Sequence, residues 1–350
     1  MVSLVSSFRI PLNHFVSPHS FDLIGVGNPI MDLLAHVPES FLTAHVAGDK
    51  GGMVLVDDDD IVQLVRKLDV QLAVTPGGSA ANATLGATRL GLRTTYLGKI
   101  GGDTTARDYR ANFAAAGGDA SRFKHATLPN GRCLSLVTPD GQRTMRTHLG
   151  AAMTLSPDEI SPADFAGARH AHIEGYLMFN PALGEKVVAT ARSAGCSLSI
   201  DLASFEVVAV ARDWLLGQIK QGVHVIFANE DEIRTLFQDK TSGYDALARR
   251  LASHGGIAAV KMGKDGAWIA RGDELHRIAA VPAARVVDTT GAGDAWAAGF
   301  LYGYLRGHSL PVAGAIGSLL GSETVQHLGP TIPEMHWPRM RAQAAALAKG

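Results

Sequence analysis

Alternation of short apolar runs with helical stretches constrains this chain more than any other feature. From residue 171 onward the order is regular: AHIEGYLM is followed by LGEKVVATARSAG, which reads as a helix, and CSLSIDLA, which reads as a strand. HVIFANEDEIRTLF then runs from strand into helix, and IAAVKMGKDGAWIA makes two strands about a glycine turn. Repeated strand–helix–strand units bury their apolar faces by laying helices on both sides of a mostly parallel sheet. The pattern predicts an α/β fold of three layers, α/β/α.

The N-terminal part departs from that rhythm. Residues 21–37, FDLIGVGNPIMDLLAHV, hold a short strand, a Gly-Asn-Pro turn and a second strand-like stretch carrying Asp32. In residues 55–70 apolar side chains recur at helical spacing behind four aspartates, so Asp57 or Asp58 is the natural N-cap and the acids favour the helix dipole. Neighbouring aspartates on a helix point to different sides, which argues against a metal cluster. TPGGSAANATLGATRLG reads as a glycine loop feeding a helix, TTYLGKIGGD as strand and turn, and TARDYRANFAAAGG as a helix closed by glycine. RCLSLVTPDGQRTMRTHLG differs, because two β-rich runs flank Pro139-Asp140-Gly141; it predicts a hairpin outside the main sheet. The organisation expected is an extension over residues 1–20, one α/β domain over 21–350, and a small β lid from about 28–56 and 128–150. RAQAAALAKG makes a closing helix.

Composition excludes several classes. With 46% hydrophobic and 19% charged residues among 350, the chain has material for a sizeable core. A formal net charge of −1, with basic residues scattered, leaves no footprint for nucleic acid or an anionic membrane. No run approaches the roughly 20 apolar residues that span a bilayer, and residues 1–20 lack the basic start, apolar stretch and cleavage site of a secretory signal. Cys133 and Cys196 are too few and too far apart for a disulfide framework. These readings predict a soluble, cytoplasmic protein, a monomer or homodimer, working on small molecules.

DTTGAGDAWAAGF, residues 288–300, sets two glycines and two carboxylates ahead of a helical run. Small residues there leave the first helical N–H groups open to an anion, and the helix dipole favours one. Asp294 would repel a bound phosphate unless its task is to accept a proton from a nucleophile beside that phosphate, which points to phosphoryl transfer to a hydroxyl. Taken alone, the same residues also make an ordinary helix start with an aspartate cap and a tight turn. The chain has no G-x-x-x-x-G-K-[ST], no G-x-G-x-x-G after its first strand and no H-E-x-x-H, so neither a P-loop, a dinucleotide fingerprint nor a zincin motif competes.

This stretch resembles the C-terminal signature of the PfkB family, the ribokinase-like sugar and nucleoside kinases. Residues 77–103, GGSAANATLGATRLGLRTTYLGKIGGD, are similar to that family's N-terminal glycine signature, GNPIMD to its first substrate turn, and Asn229-Glu-Asp-Glu232 to its N-x-x-E motif. The four motifs stand in the family's order over residues 21 to about 333. The resemblance implies a ribokinase-like fold, ATP as donor and Mg²⁺ as its metal. It implies Asp294 as the base, with backbone amides of Gly291, Ala292 and Gly293 as an anion hole. Asp32, Gly78 and Asn82 fall where the family holds sugar hydroxyls, with Asn28 assisting. Asn229 and Glu232 fall where it organises Mg²⁺ and phosphates through water. Lys261-Met-Gly263-Lys-Asp-Gly266 resembles the turn over the nucleotide phosphates. Arg143, or alternatively Arg146, takes the place of a lid arginine, though a hairpin arginine can equally be a solvated surface charge. Asp288 with residues 324–329 lies where many members enclose a monovalent cation in main-chain carbonyls, an expectation of K⁺.

GNPIMD, the hairpin, HIEGYL and LGPTIPE look most like the adenosine kinase branch and its bacterial relatives. That implies transfer to the ribose 5′-hydroxyl of adenosine, with a ribokinase-like or fructokinase-like sugar kinase, or an inosine–guanosine kinase, as the alternative. Tyr176 and Phe205 are candidates to pack on a base, with Ile30 or Met31 on its other side. Each also suits a core position, Phe205 most of all.

Overall fold

A computed structural model describes residues 19–48 and 50–349, so the extension expected over residues 1–20 lies outside the described residues except for its last two. Along the chain β1 (Leu23–Val26) and β2 (Ile30–His36) precede α1 (Glu39–His45), β3 (Met53–Leu55), α2 (Asp58–Arg66) and β4 (Ala73–Pro76). Then come α3 (Ser79–Leu90), β5 (Thr94–Leu97), β6 (Lys99–Ile100), α4 (Thr104–Ala115) and β7 (Lys124–His125), ahead of the hairpin β8 (Asn130–Val137) and β9 (Arg143–Gly150). The alternating part follows: β10 (His170–Glu174), α5 (Pro181–Ser193), β11 (Ser197–Asp201), α6 (Phe205–Lys220), β12 (Val225–Ala228) and α7 (Glu230–Phe237). The chain closes with α8 (Tyr244–Ala252), β13 (Ile257–Lys261), β14 (Ala267–Arg271), β15 (Glu274–Ile278), α9 (Ala292–Leu305), α10 (Leu310–Thr324) and α11 (Trp337–Leu347).

The central sheet has eight strands in the order β15-β14-β13-β12-β11-β10-β1-β5. All its pairings are parallel except those of β14, which pairs antiparallel with β13 and with the edge strand β15. Side chains two apart share a face, and the cores follow that rule. Ile226 and Ala228 of β12, with Ala258 and Val260 of β13, pack under α5 to α8. Val225, Phe227, Ile257 and Ala259 point the other way, onto α3, α9 and α10. Sequence pattern foresaw the three layers. It did not assign α1, α6, α8, α10 or the short edge strand β15; along α6 and α10 apolar residues are too closely spaced to show a clean stripe.

Five strands form a second sheet in the order β3-β9-β8-β2-β4. The hairpin stands outside the main sheet as expected, but the small sheet also recruits β4 from the segment read as a glycine loop, because Val74 and Thr75 pair with Leu33 and Asp32. Asp57 caps α2 in a capping box with Asp60, and Asp58 receives both Nε and Nη2 of Arg132, at 2.7 and 2.6 Å, tying that helix to β8.

Glycines set how closely the helices beneath the sheet approach. A Cβ on Gly299 of α9 would lie 2.6 Å from the Ile316 carbonyl of α10, and one on Gly317 would lie 2.8 Å from the Trp296 carbonyl. The two backbones therefore touch directly. No helix among the described residues is long and apolar enough to cross a membrane. Helix propensity favours alanine over glycine by about 1 kcal/mol, yet Gly299→Ala is expected to lower unfolding stability by about 1–3 kcal/mol through overpacking, measured by urea denaturation. A rise in stability would show that α9 can move away from α10.

Candidate active site

The carboxyl ends of the parallel strands, where ligands of open α/β sheets bind, open into a cleft of about 1470 Å³ whose opposite wall is the small sheet. Single-ligand pockets run to roughly 300–1,000 Å³, so this space holds more than one small molecule.

At its floor α9 begins. Gly291 caps the helix with φ 70°, a left-handed conformation, and a Cβ there would fall 2.5 Å from Pro330. Gly291, Ala292 and Gly293 line the cleft, so the first turn of α9 faces it. Asp294, in that turn, is half-buried and accepts hydrogen bonds from Ser79 Oγ (2.8 Å) and Asn82 Nδ2 (2.9 Å). Both donors sit in the first turns of α3, so two helix N-termini converge on one carboxylate. Burial raises the Asp294 carboxyl above its ordinary value, against the bond from Asn82.

Beside it stands Asp32, 6% exposed on β2. Among the described residues no hydrogen bond reaches its carboxylate, which lies where a Cβ on Gly77 would fall, 2.3 Å from Oδ2. Burial pushes this carboxyl up to about 7, opposed by the charge of Arg143 and assisted by Asp294 and Asp288. Gly78 precedes α3 with φ 98°, and its missing side chain would meet the Asn28 carbonyl at 2.3 Å. Asn82 Oδ1 is buried without a partner. Asp32 and Asn82 thus present unmet acceptors to the cleft, the chemistry a polyhydroxylated ligand answers.

Asn28 lines the same region through a residue that sequence reading did not assign. Its N–H and Nδ2 both donate to Glu174 Oε1, at 2.8 and 2.7 Å, while Glu174 Oε2 accepts from Ala80 N at 3.1 Å. Burial raises Glu174 to about 7. Its signal was present in the sequence as an acid ending a buried strand. Two further strand ends meet across β12: Asp201 on β11, unassigned from sequence, and Lys261 on β13, named there only as the start of the glycine turn, form an ion pair at 2.8 Å. The Lys261 ammonium lies 3.2 Å from the position a Cβ on Gly293 would take, against the start of α9.

Asn229 caps α7. Its N–H and Nδ2 donate to Glu232 Oε2 and Oε1, both at 2.7 Å, and its Oδ1 accepts from Glu232 N at 2.9 Å. Glu232 is buried, and that burial with the nearby Asp201 raises it to about 8. Oxygen donors of this kind suit Mg²⁺, and because both Glu232 oxygens already serve Asn229, a hydrated ion fits better than a directly ligated one. Gly263 and Gly266 line the cleft from the turn between β13 and β14. Asp288 is fully buried, and its carboxylate accepts from Thr290 N, Thr290 Oγ1 and Gly329 N at 2.6 to 2.8 Å. It thereby joins the strand-to-α9 loop to the turn after α10.

Alternation along β9 separates the two arginines. Arg143 faces the cleft with Met145, Thr147 and Leu149. Arg146 is buried on the other face, where it donates to the carbonyls of Met145 and Ala47, so the alternative placement of the lid arginine there does not hold. Ile30 lines the cleft while Met31 packs into a core with Tyr96 and Tyr109. Phe205 is 48% exposed at the start of α6, contrary to the core position expected for it. It lines the cleft with Tyr176 and Phe179, whose rings stack at 6.4 Å and 29°.

Fold and cleft define an α/β enzyme that brings two small molecules together over a helix N-terminus. The pattern of the pfkB family carbohydrate kinases matches residues 53–337, and the chain belongs to that family. A nucleoside kinase of Methanothermobacter thermautotrophicus is 32% identical over 314 residues, covering 88% of this chain and 90% of that protein. An uncharacterized sugar kinase of Archaeoglobus fulgidus is 30% identical over 249 residues, 70% of this chain and 96% of that one. The crystal structure of adenosine kinase from Sinorhizobium meliloti superposes with a TM-score of 0.85 at 31% identity, covering 93% of this chain and 99% of that one. The chain is a ribokinase-like kinase of the sugar and nucleoside group, a class that uses ATP and generally Mg²⁺.

The position of Asp32 yields a prediction about the ligand-free protein. Because folding raises this carboxyl from 3.8 to about 7, ionising it opposes the fold, and stability falls as pH rises from about 4 through about 7. Asp32→Asn should therefore gain stability over the parent, and gain more at pH 8 than at pH 5, by on the order of 2 kcal/mol. Urea unfolding at the two pH values measures the difference; an equal effect at both would remove Asp32 from the groups that titrate in the fold.

Proposed function

We propose that the chain transfers the γ-phosphoryl group of Mg·ATP to the 5′-hydroxyl of a nucleoside, adenosine, giving AMP and ADP. The observation that carries the reading is the place of Asp294, between the open first turn of α9 and the unmet acceptors of Asp32 and Asn82. A ribose held by those acceptors brings its primary hydroxyl to Asp294. Asp294 takes the hydroxyl proton as the oxygen attacks the γ-phosphorus, a new O–P bond forms, and the bond to the β-bridging oxygen breaks, releasing ADP.

The N–H groups of Gly291, Ala292 and Gly293 receive the phosphoryl oxygens, with the helix dipole favouring their charge. Asp294 is suited to its part because Ser79 and Asn82 orient the carboxylate while burial raises its proton affinity. Asn229 and Glu232 would hold the waters of a Mg²⁺ carried with the nucleotide, which would supply charge that neutralises the phosphates. Gly263 and Gly266 make the turn against the donor phosphates, and Arg143 reaches them from the small sheet, which acts as a lid formed by about residues 28–56 and 128–150 together with β4. Main-chain carbonyls about Asp288 and residues 324–329 would hold K⁺ if the chain uses it.

The aromatic wall favours a nucleoside over a free sugar. Tyr176, Phe179 and Phe205 offer flat apolar area beyond the hydroxyl-binding groups, with Ile30 on the cleft wall, and a monosaccharide has nothing to set against them. The two named relatives and the solved structure include nucleoside and adenosine kinases, which supports the same reading.

Turnover of ATP across adenosine, inosine, guanosine, ribose and fructose, with and without potassium, tests the acceptor. Adenosine should give the highest kcat/KM, and Tyr176→Ala should lose most of it while leaving turnover of ribose little changed. A sugar that outperforms every nucleoside would move the chain to the sugar kinases. Asp294→Asn, with folding checked by circular dichroism, should lower kcat by about 10²–10⁴-fold, and near-parental kcat would remove Asp294 as the base.

A further inference from the structure

Away from the cleft, three metal-ligating side chains meet at the junction of α10 and α11. Glu323 Oε1 lies 3.2 Å from His327 Nε2 and 2.7 Å from His336 Nδ1, and the three donor atoms lie within 4.8 Å of one another. None of the three lines the cleft. Glu323 and His327 are one helical turn apart, while His336 returns from the short turn ahead of α11, so the chain reversal at residues 328–335 brings the set together.

We propose that Glu323, His327 and His336 form a binding site for a divalent transition ion of the zinc class, separate from the Mg²⁺ that accompanies ATP. One carboxylate oxygen with two imidazole nitrogens is a donor set that Zn²⁺, Co²⁺ and Ni²⁺ prefer and Mg²⁺ does not, and three protein ligands leave a fourth position for water. Bonds of about 2.0–2.1 Å at tetrahedral angles place donors roughly 3.3 Å apart, and the two separations from Glu323, 3.2 and 2.7 Å, lie close to that spacing. Glu323 is 4% exposed, so the oxygen at the centre of the set is held inside the packed helices.

A second observation marks the place as one for a cation. Arg339 Nη2 sits 2.7 Å from Glu323 Oε1 and 3.3 Å from His336 Nδ1, so a guanidinium occupies the space that a metal would share. Arg339 is 54% exposed on its side chain and can swing into solvent, which makes it a competitor and not a wall. The site has a mechanical connection to the cleft. His327 belongs to the turn whose Gly329 N–H donates to Asp288 and whose Pro330 packs on Gly291, so a metal there would brace the turn behind the start of α9.

Titration of the tag-free full-length chain with Co²⁺, in excess Mg²⁺ to fill oxygen-donor sites, tests the assignment through visible d–d absorption. A single equivalent should bind, be displaced by Zn²⁺, and weaken at least about tenfold in His327→Ala and in His336→Ala; Arg339→Gln should bind more tightly than the parent. Zn²⁺ should also raise the Tm of the parent and not of the double histidine variant. No saturable Co²⁺ absorption, or equal affinity in the parent and both histidine variants, would overturn the site, as would an equal Zn²⁺-induced Tm shift in the parent and the double variant.

Discussion

The hydrogen bonds from Ser79 and Asn82 to Asp294 join parts of the chain more than 200 residues apart, and the rest of the site is arranged around them. They require α3 and α9 to point their N-termini at one another across the base of the cleft. That geometry depends on packing beneath it: Gly86 of α3 meets Ala298 of α9 with no room for a Cβ, and α9 lies against α10 through Gly299 and Gly317. Close helix contacts fix the direction of α9, and through it the direction of its first turn, which lines the cleft. Asp288 adds the last restraint by holding the loop before α9 to the turn after α10.

Electrostatics explains why such a site needs ligands. Asp32, Glu174, Glu232 and Asp294 all have carboxyls raised by burial, and two basic side chains, Lys261 and Arg143, stand close to them. A cluster of acids facing a cavity repels itself, and the repulsion is relieved by protons, by a hydrated dication, or by hydroxyl groups that donate to the oxygens. Lys261 lies where it serves both sides, paired with Asp201 and set against the backbone of Gly293. Positive charge at that spot offsets the carboxylates of Asp201, Glu232 and Asp294.

Much of this was legible in the residue order. The glycines and acids of residues 288–294 announced a helix N-terminus with a carboxylate in its first turn, and the strand–helix alternation announced a doubly covered sheet. What could not be read were the groups defined by meeting rather than by motif. Glu174 carries no local signature; only the parallel alignment of β10 with β1 places it under Asn28. Asp201 and Lys261 are neighbours because β11, β12 and β13 lie side by side. Phe205 looks like core material in sequence and stands on the cleft wall because α6 starts there, and Arg146 is separated from Arg143 by strand alternation that fixes which one faces the cleft.

Local chemistry is a property of short stretches, so sequence alone determined the layer architecture, the helix that presents its N-terminus, and the carboxylate set beside it. Tertiary structure alone decided which distant side chains complete the cleft: the acceptors of Asp32 and Asn82 beside Asp294, the carboxylate beneath Asn28, the ammonium behind Gly293, and the aromatic wall. The physical reason is that hydrogen bonding and burial act over a few ångströms of space regardless of separation along the chain, and only folding converts one into the other.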